Sequence, residues 1–207
     1  MFPFLSPTSP LPSGSIPLNS GHTLLGAKDK TPFKLPHNLS QLIYNYFAAN
    51  GVMLPGIQGL RIVRWARLKL PNGQIARSLW KEKEKCFDQL RKARNVKFIC
   101  ETTEKFGEVQ FFFHHQTKGF AVVSIFSDPN NELLESSFQA LHVCKYQGNQ
   151  ALQVIQVDAI HSVVAMIPFD PSPESDSISQ IGQRHFMVEK FGLDMDGLRG
   201  VQDEGEE

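Results

Sequence analysis

Two neighbouring runs, Glu108 to His115 and Gly119 to Ser127, carry apolar residues on both sides of an extended chain, and few folds can accommodate that. Successive side chains of a strand point to opposite faces. The first run sets Val109, Phe111 and Phe113 on one side and Gln110, Phe112 and His114 on the other, so neither side can be left in water. The link Gln116 to Lys118 is short enough for a hairpin. The pair therefore predicts a hairpin whose first strand is central in the sheet.

The same period of two recurs in Asn95 to Cys100, where Val96, Phe98 and Cys100 alternate. Further strand candidates are Leu141 to Tyr146, Leu152 to Val157, Ser162 to Ile167 and His185 to Glu189, all rich in Val, Ile or aromatic residues. Crossover helices between them are missing, which favours a small barrel or bent sheet over a doubly wound α/β fold. The predicted class is mainly β (α+β), a small bent sheet or partly open barrel with short flanking helices.

Four segments follow from this reading. Residues 1–37 are rich in Pro, Ser and Gly without helical or strand period, and read as a disordered leader. Residues 38–94 read as a helix followed by a basic hairpin and connector, residues 95–193 as the β-rich domain and residues 194–207 as an acidic disordered tail. In the second segment Asn38 is placed to cap a helix that gathers Leu39, Leu42, Ile43, Tyr46 and Phe47 on one face and stops at Gly51. Pro71-Asn72-Gly73 is a turn signal that lets its flanks pair. Residues 77–94 space Leu79, Cys86, Phe87 and Leu90 helically among charges.

The formal net charge is +0, yet the two signs are segregated along the chain. Basic residues crowd the stretch from Arg61 to Arg94, whereas acidic residues dominate beyond Phe169. Arg61, Arg64, Arg67, Arg77, Lys81, Arg91 and Arg94 are the candidate nucleic-acid-binding residues, because arginines interleaved with Trp65 and Trp80 suit phosphate contact with stacking. The competing reading is a solvated face with both tryptophans anchored in the core.

Motifs for chemistry are missing. His142 and Cys144 share a strand face, but tetrahedral zinc needs two more ligands that only distant Cys100, His161 or His185 would supply. Gly56 and Gly59 lack the Gly-Lys-Ser/Thr of a phosphate loop, and no residue marks His114 or His161 as the base of a triad. Asp158 and Glu108 are explained by turn and strand-end roles. Three widely spaced cysteines argue against a disulfide framework. The expectation is a soluble, intracellular, non-enzymatic protein with no cofactor, no metal, no small-molecule ligand and no membrane partner.

Several stretches carry a resemblance. They include Leu70 to Ser78 with Trp80-Lys81-Glu82, Ala93 to Lys97, Gly107 to Phe113, Ala121 to Phe126 with Asp128-Pro129, Cys144 to Gly148, Ile160 to Pro168, and Phe186 to Lys190 with Gly192-Leu193-Asp194. In order, over residues 68–194, the chain resembles the C-terminal accessory region of fungal CACTA-type (En/Spm-like) DNA transposon proteins. That resemblance implies a nuclear, non-catalytic accessory role beside duplex DNA, transposase or chromatin proteins, because the acidic-triad core of the transposase has no counterpart here. The run from Glu108 to Phe126 also looks loosely like a bromo-adjacent homology domain, a small β-fold that binds chromatin proteins, which is an analogy of fold alone.

Overall fold

The computed structural model describes residues 11–84, 93–168 and 184–189. Short strands β1 (Ile16–Pro17), β2 (Thr23–Leu24) and β3 (Phe33–Lys34) precede helix α1 (His37–Ala49). Next come β4 (Arg61–Ile62), β5 (Arg64–Trp65), β6 (Arg67–Lys69), β7 (Ile75–Arg77) and the short helix α2 (Leu79–Glu82). The longer strands β8 (Asn95–Cys100), β9 (Thr103–His115) and β10 (Lys118–Ile125) lead to helix α3 (Asn131–Ser136), and then to β11 (Val143–Lys145), β12 (Leu152–Gln156), β13 (Ile160–Pro168) and β14 (Arg184–Glu189). The fold is mainly β, and its largest sheet, in the order β11-β14-β13-β8-β9-β10-β12, curls into an open half-barrel.

The hairpin predicted from the double-sided runs forms, and β9 is the spine of the sheet. One edge of β9 pairs with β10 from His115↔Lys118 to Gly107↔Ile125. Its other edge pairs with β8 over Thr103 to Glu108 and with β5 at Phe112 and Phe113. Strict alternation fails at one point. The register passes from Phe111↔Val122 to Val109↔Val123, so Gln110 is an extra residue in a β-bulge. Val109 consequently packs with Phe112, Ala121 and Val123, not with Phe111 and Phe113. The bulge also turns Glu108 to the face of Phe111.

Each face of the spine has its own cover. Phe111, Phe113, Phe120 and Val122 are buried under α1, whose Phe47 ring lies 5.0 Å from Phe120 and 6.4 Å from Phe113 in edge-on contacts. The helix starts at His37 behind Pro36, with no side-chain cap, so the cap expected of Asn38 is not made. It ends in a Schellman arrangement: the N–H of Gly51 donates to the carbonyl of Ala48 and that of Val52 to Phe47, with Gly51 at φ +72°.

The opposite face is covered by a sheet in the order β1-β2-β6-β7. Leu18, Leu24, Leu68, Leu70 and Ala76 pack there against Val109, Phe112 and Val123. The disordered leader expected of residues 1–37 is therefore wrong from residue 11 onward; residues 1–10 lie outside the described residues. The proline-rich composition hides three short strands, and Leu24 is wholly buried. The approach is close, since a Cβ added at Gly119 would meet Leu18 Cδ1 at 2.6 Å. Nor does a boundary at residue 95 hold, because β5 lies in the same sheet as β9. The acidic tail and most of the charged stretch after Glu84 fall outside the described residues.

The Pro71-Asn72-Gly73 turn closes the β6–β7 hairpin, with Gly73 at φ +81°. It also docks on β13. That strand has an irregular register between Ile160 and Ser162, and the groups left unpaired there find side-chain partners. Asn72 Nδ2 donates to the His161 carbonyl at 3.0 Å, and the Val163 N–H donates to Gln74 Oε1 at 2.7 Å. At the other end of the sheet, β11 is tied back to the segment leaving β10 by the bridge Phe126↔Tyr146 and by the Ser127 N–H on the Lys145 carbonyl.

If the N-terminal strands belong to the core, Leu24→Ala should lower the unfolding free energy by about 2–5 kcal/mol. Urea denaturation checks this, and a loss within error of zero would return the segment to the status of a loose leader.

Candidate functional site: the cleft at the half-barrel mouth

Strand β13 outruns one of its partners. Its pairing with β8 ends at Val164↔Asn95, whereas its pairing with β14 continues through Pro168↔His185. The sheet splits where β8 stops, and a cleft of about 310 Å³ opens between Ala165–Pro168 on one side and Arg94, Asn95 and Glu108 on the other. Phe126, Tyr146 and His185 complete its wall. Among the described residues no strand pairs with the β13 edge that faces this split.

Glu108 reaches the cleft because of the bulge at Gln110; without the extra residue it would share the face of Phe112. Only 6% exposed, it is held from several sides. Arg94 Nε contacts Oε1 at 2.5 Å, the Tyr146 hydroxyl donates to Oε2 at 2.5 Å, and Gln110 Nε2 donates to Oε2 at 3.3 Å. A buried carboxylate needs such partners. Burial, followed by the hydrogen bond to Glu108 and the charge of its carboxylate, pushes the Tyr146 phenol up to about 12.

The aromatic wall is a mutual packing of three rings. Phe126 lies 5.2 Å from Tyr146 and 5.6 Å from His185, and Tyr146 lies 6.3 Å from His185, with interplanar angles of 51°, 73° and 66°. Behind them Phe106, Cys144 and Val164 fill the interior, with Met166 and Met187 packed alongside. Burial first, then the nearby Asp128 charge, pushes the Cys144 thiol up to about 11, so it is no thiolate nucleophile at neutral pH. What the cleft offers is a rigid apolar surface, a satisfied carboxylate and an open strand edge. Those are the means of binding.

Several of the basic residues singled out in the sequence are paired with acids of the same chain. Arg64 is clamped by Asp29, Nε to Oδ2 at 2.9 Å and Nη2 to Oδ1 at 3.3 Å, and its guanidinium lies 3.7 Å from the Phe33 ring centroid and 4.3 Å from that of Trp80. Arg77 faces Arg67 across the hairpin and pairs with Glu82 at 3.6 Å. Arg67 is half-buried, its Nε without a hydrogen-bond partner. Arg94 is spent on Glu108, and Lys81 bonds Glu84 at 2.6 Å. Arg61 is exposed and donates to the Pro32 carbonyl at 3.3 Å. Arg91 lies outside the described residues.

Among the described residues no three His, Cys, Asp or Glu side chains converge as metal ligands, and no helix is long and apolar enough to cross a membrane. Comparison with protein-family models, with curated proteins and with solved structures finds no match for this chain. Sequence reasoning missed Tyr146, Phe126 and His185 as a group. Each sits at or just beyond the end of a strand, and only the curl of the sheet brings them together.

The fold holds the neutral form of Tyr146, so the stability this residue lends is intact below its ordinary value of 10.0 and is lost as pH rises from there to about 12. A spectrophotometric phenolate titration should show a step near 12 that vanishes in Tyr146→Phe and moves to lower pH in Glu108→Gln. A step indifferent to both substitutions would contradict the assignment.

Proposed function

We propose that the protein is a non-catalytic interaction module that takes an extended segment of a partner protein at the half-barrel mouth. The segment's backbone runs along the edge of Ala165–Pro168 that no described strand pairs with, and one of its apolar side chains seats against Phe126, Tyr146 and Met166. The observation that carries this reading is the run of β13 beyond its last partner in β8. An unpaired strand edge beside an apolar cleft is the arrangement used in recognition by strand addition, where main-chain bonds give affinity and the pocket gives specificity. Glu108 supports a binding role over an enzymatic one, because its carboxylate is committed to Arg94 and Tyr146.

The resemblance to CACTA-type transposon proteins suggests who the partner is. On that reading the module works in the nucleus as an accessory protein, and the segment it takes belongs to a transposase or a chromatin protein. Peptides selected from a random display library on the full chain should alternate apolar and polar positions. Their binding should drop at least about tenfold in Met166→Glu, and N-methylation of alternate peptide amides should abolish it. The control Ile99→Glu, at an exposed position on another strand, should leave it unchanged. Failure to enrich any peptide, or binding indifferent to N-methylation, would remove strand addition.

A second reading, contact with duplex DNA phosphates, rests on Arg61 being exposed with no acidic partner among the described residues and on Lys81 lying at the surface 4.7 Å from the Trp80 ring centroid. Fluorescence anisotropy with a labelled duplex should then show affinity falling steeply with salt and roughly tenfold weaker binding after charge reversal at Arg61 and Lys81. Binding unaffected by those reversals would dismiss this reading.

A further inference from the structure

A second cavity lies between α1, the end of β9 and the N-terminal segment, and shares no residue with the mouth. It measures about 500 Å³ and is walled by Ile43 and Phe47 of α1, Leu54 of the following loop, Trp65 of β5 and Phe113 of β9. That is within the usual range for a small organic ligand. The walls are well packed, with Ile43, Phe47, Trp65 and Phe113 between 1% and 3% exposed. An apolar guest would keep its own surface out of water here, a gain of about 25 cal/mol per Å².

The polar groups around the cavity are of one sign. Among the described residues Lys28, Arg61, His114 and His115 line it, and no aspartate or glutamate does. The nearest acid in sequence, Asp29, is taken by both nitrogens of Arg64 and by the Arg64 backbone N–H at 3.0 Å. Lys28 stands with its Nζ 4.6 Å from the Trp65 ring centroid, and neither it nor Arg61 has a carboxylate partner among the described residues. Burial, with the charge of His115 adding to it, lowers His114, so that ring is a neutral hydrogen-bonding group at ordinary pH. The standing positive charge therefore comes from two exposed side chains at the rim, above an apolar interior.

We propose that this cavity binds an amphipathic organic anion, an aliphatic chain lying against Phe47, Trp65 and Phe113 with a terminal carboxylate held by Lys28 and Arg61. Cations on the rim of an apolar hole offset the cost of bringing a carboxylate to its edge, and they reject an ammonium head group on the same chain. The sequence led to no expectation of a small-molecule ligand, because the lining residues come from six separate stretches and share no motif. The site is independent of the mouth cleft, with which it has no lining residue in common.

Isothermal titration of the full chain with dodecanoate, dodecanol and dodecyltrimethylammonium, all below their aggregation limits, separates the terms. Dodecanoate should bind one per chain, dodecanol at least about tenfold more weakly, and the ammonium not measurably. Lys28→Gln with Arg61→Gln, both at exposed positions, should bring dodecanoate down to the level of dodecanol. Leu54→Trp should abolish binding of both by filling the hole, while Met166→Glu at the mouth should change nothing. Equal affinity for the three probes, full dodecanoate affinity in the double variant, or no dodecanoate binding would each overturn the proposal.

Discussion

Every layer of this fold follows from one constraint, the burial of both faces of β9. Phe112 and Val109 on one side and Phe111 and Phe113 on the other must all leave water. No single covering element can reach both faces. Helix α1 shields one side and the β1-β2-β6-β7 sheet the other, so the N-terminal third of the chain exists in structural terms as cover for the hairpin. The Pro71-Asn72-Gly73 turn then fastens that cover to β13 through Asn72 and Gln74.

The parts of this architecture that depend on local pattern were legible in the sequence. Double-sided runs announced the β9–β10 hairpin, helical spacing announced α1, and Gly51 and Gly73 fell where positive φ was needed. The failures share a cause. A bulge shifts one residue without leaving a trace in hydropathy, so Val109 was assigned to the wrong face. Two-residue strands such as β1 and β2 are too short to establish a period, and their prolines read as disorder although Leu24 is wholly buried.

Charge was only partly legible, because sequence shows where charges lie along the chain and not what they meet in space. The block from Arg61 to Arg94 looked like a surface seeking a polyanion. In the fold Arg64 reaches back to Asp29, Arg94 forward to Glu108, and Arg77 to Glu82. Arg64 illustrates the point: flanked by Phe33 and Trp80 and held by Asp29, it is a joint between the N-terminal segment and the hairpin. Buried pairs of this kind fix orientation more than they add stability. The cleft was invisible for the same reason, its components being scattered from Arg94 to His185.

The bridge between Phe126 and Tyr146 joins the edge strand β11 to the segment leaving β10 across the curled sheet, and the same two residues form the wall of the mouth. Whatever leans on that wall also presses on the seam. A guest that binds only the closed curl must draw the chain toward closure by the amount of its preference for that form. Binding at the mouth and integrity of the barrel are thus two readings of one equilibrium, and a partner seated there would serve as a clasp on the fold that receives it.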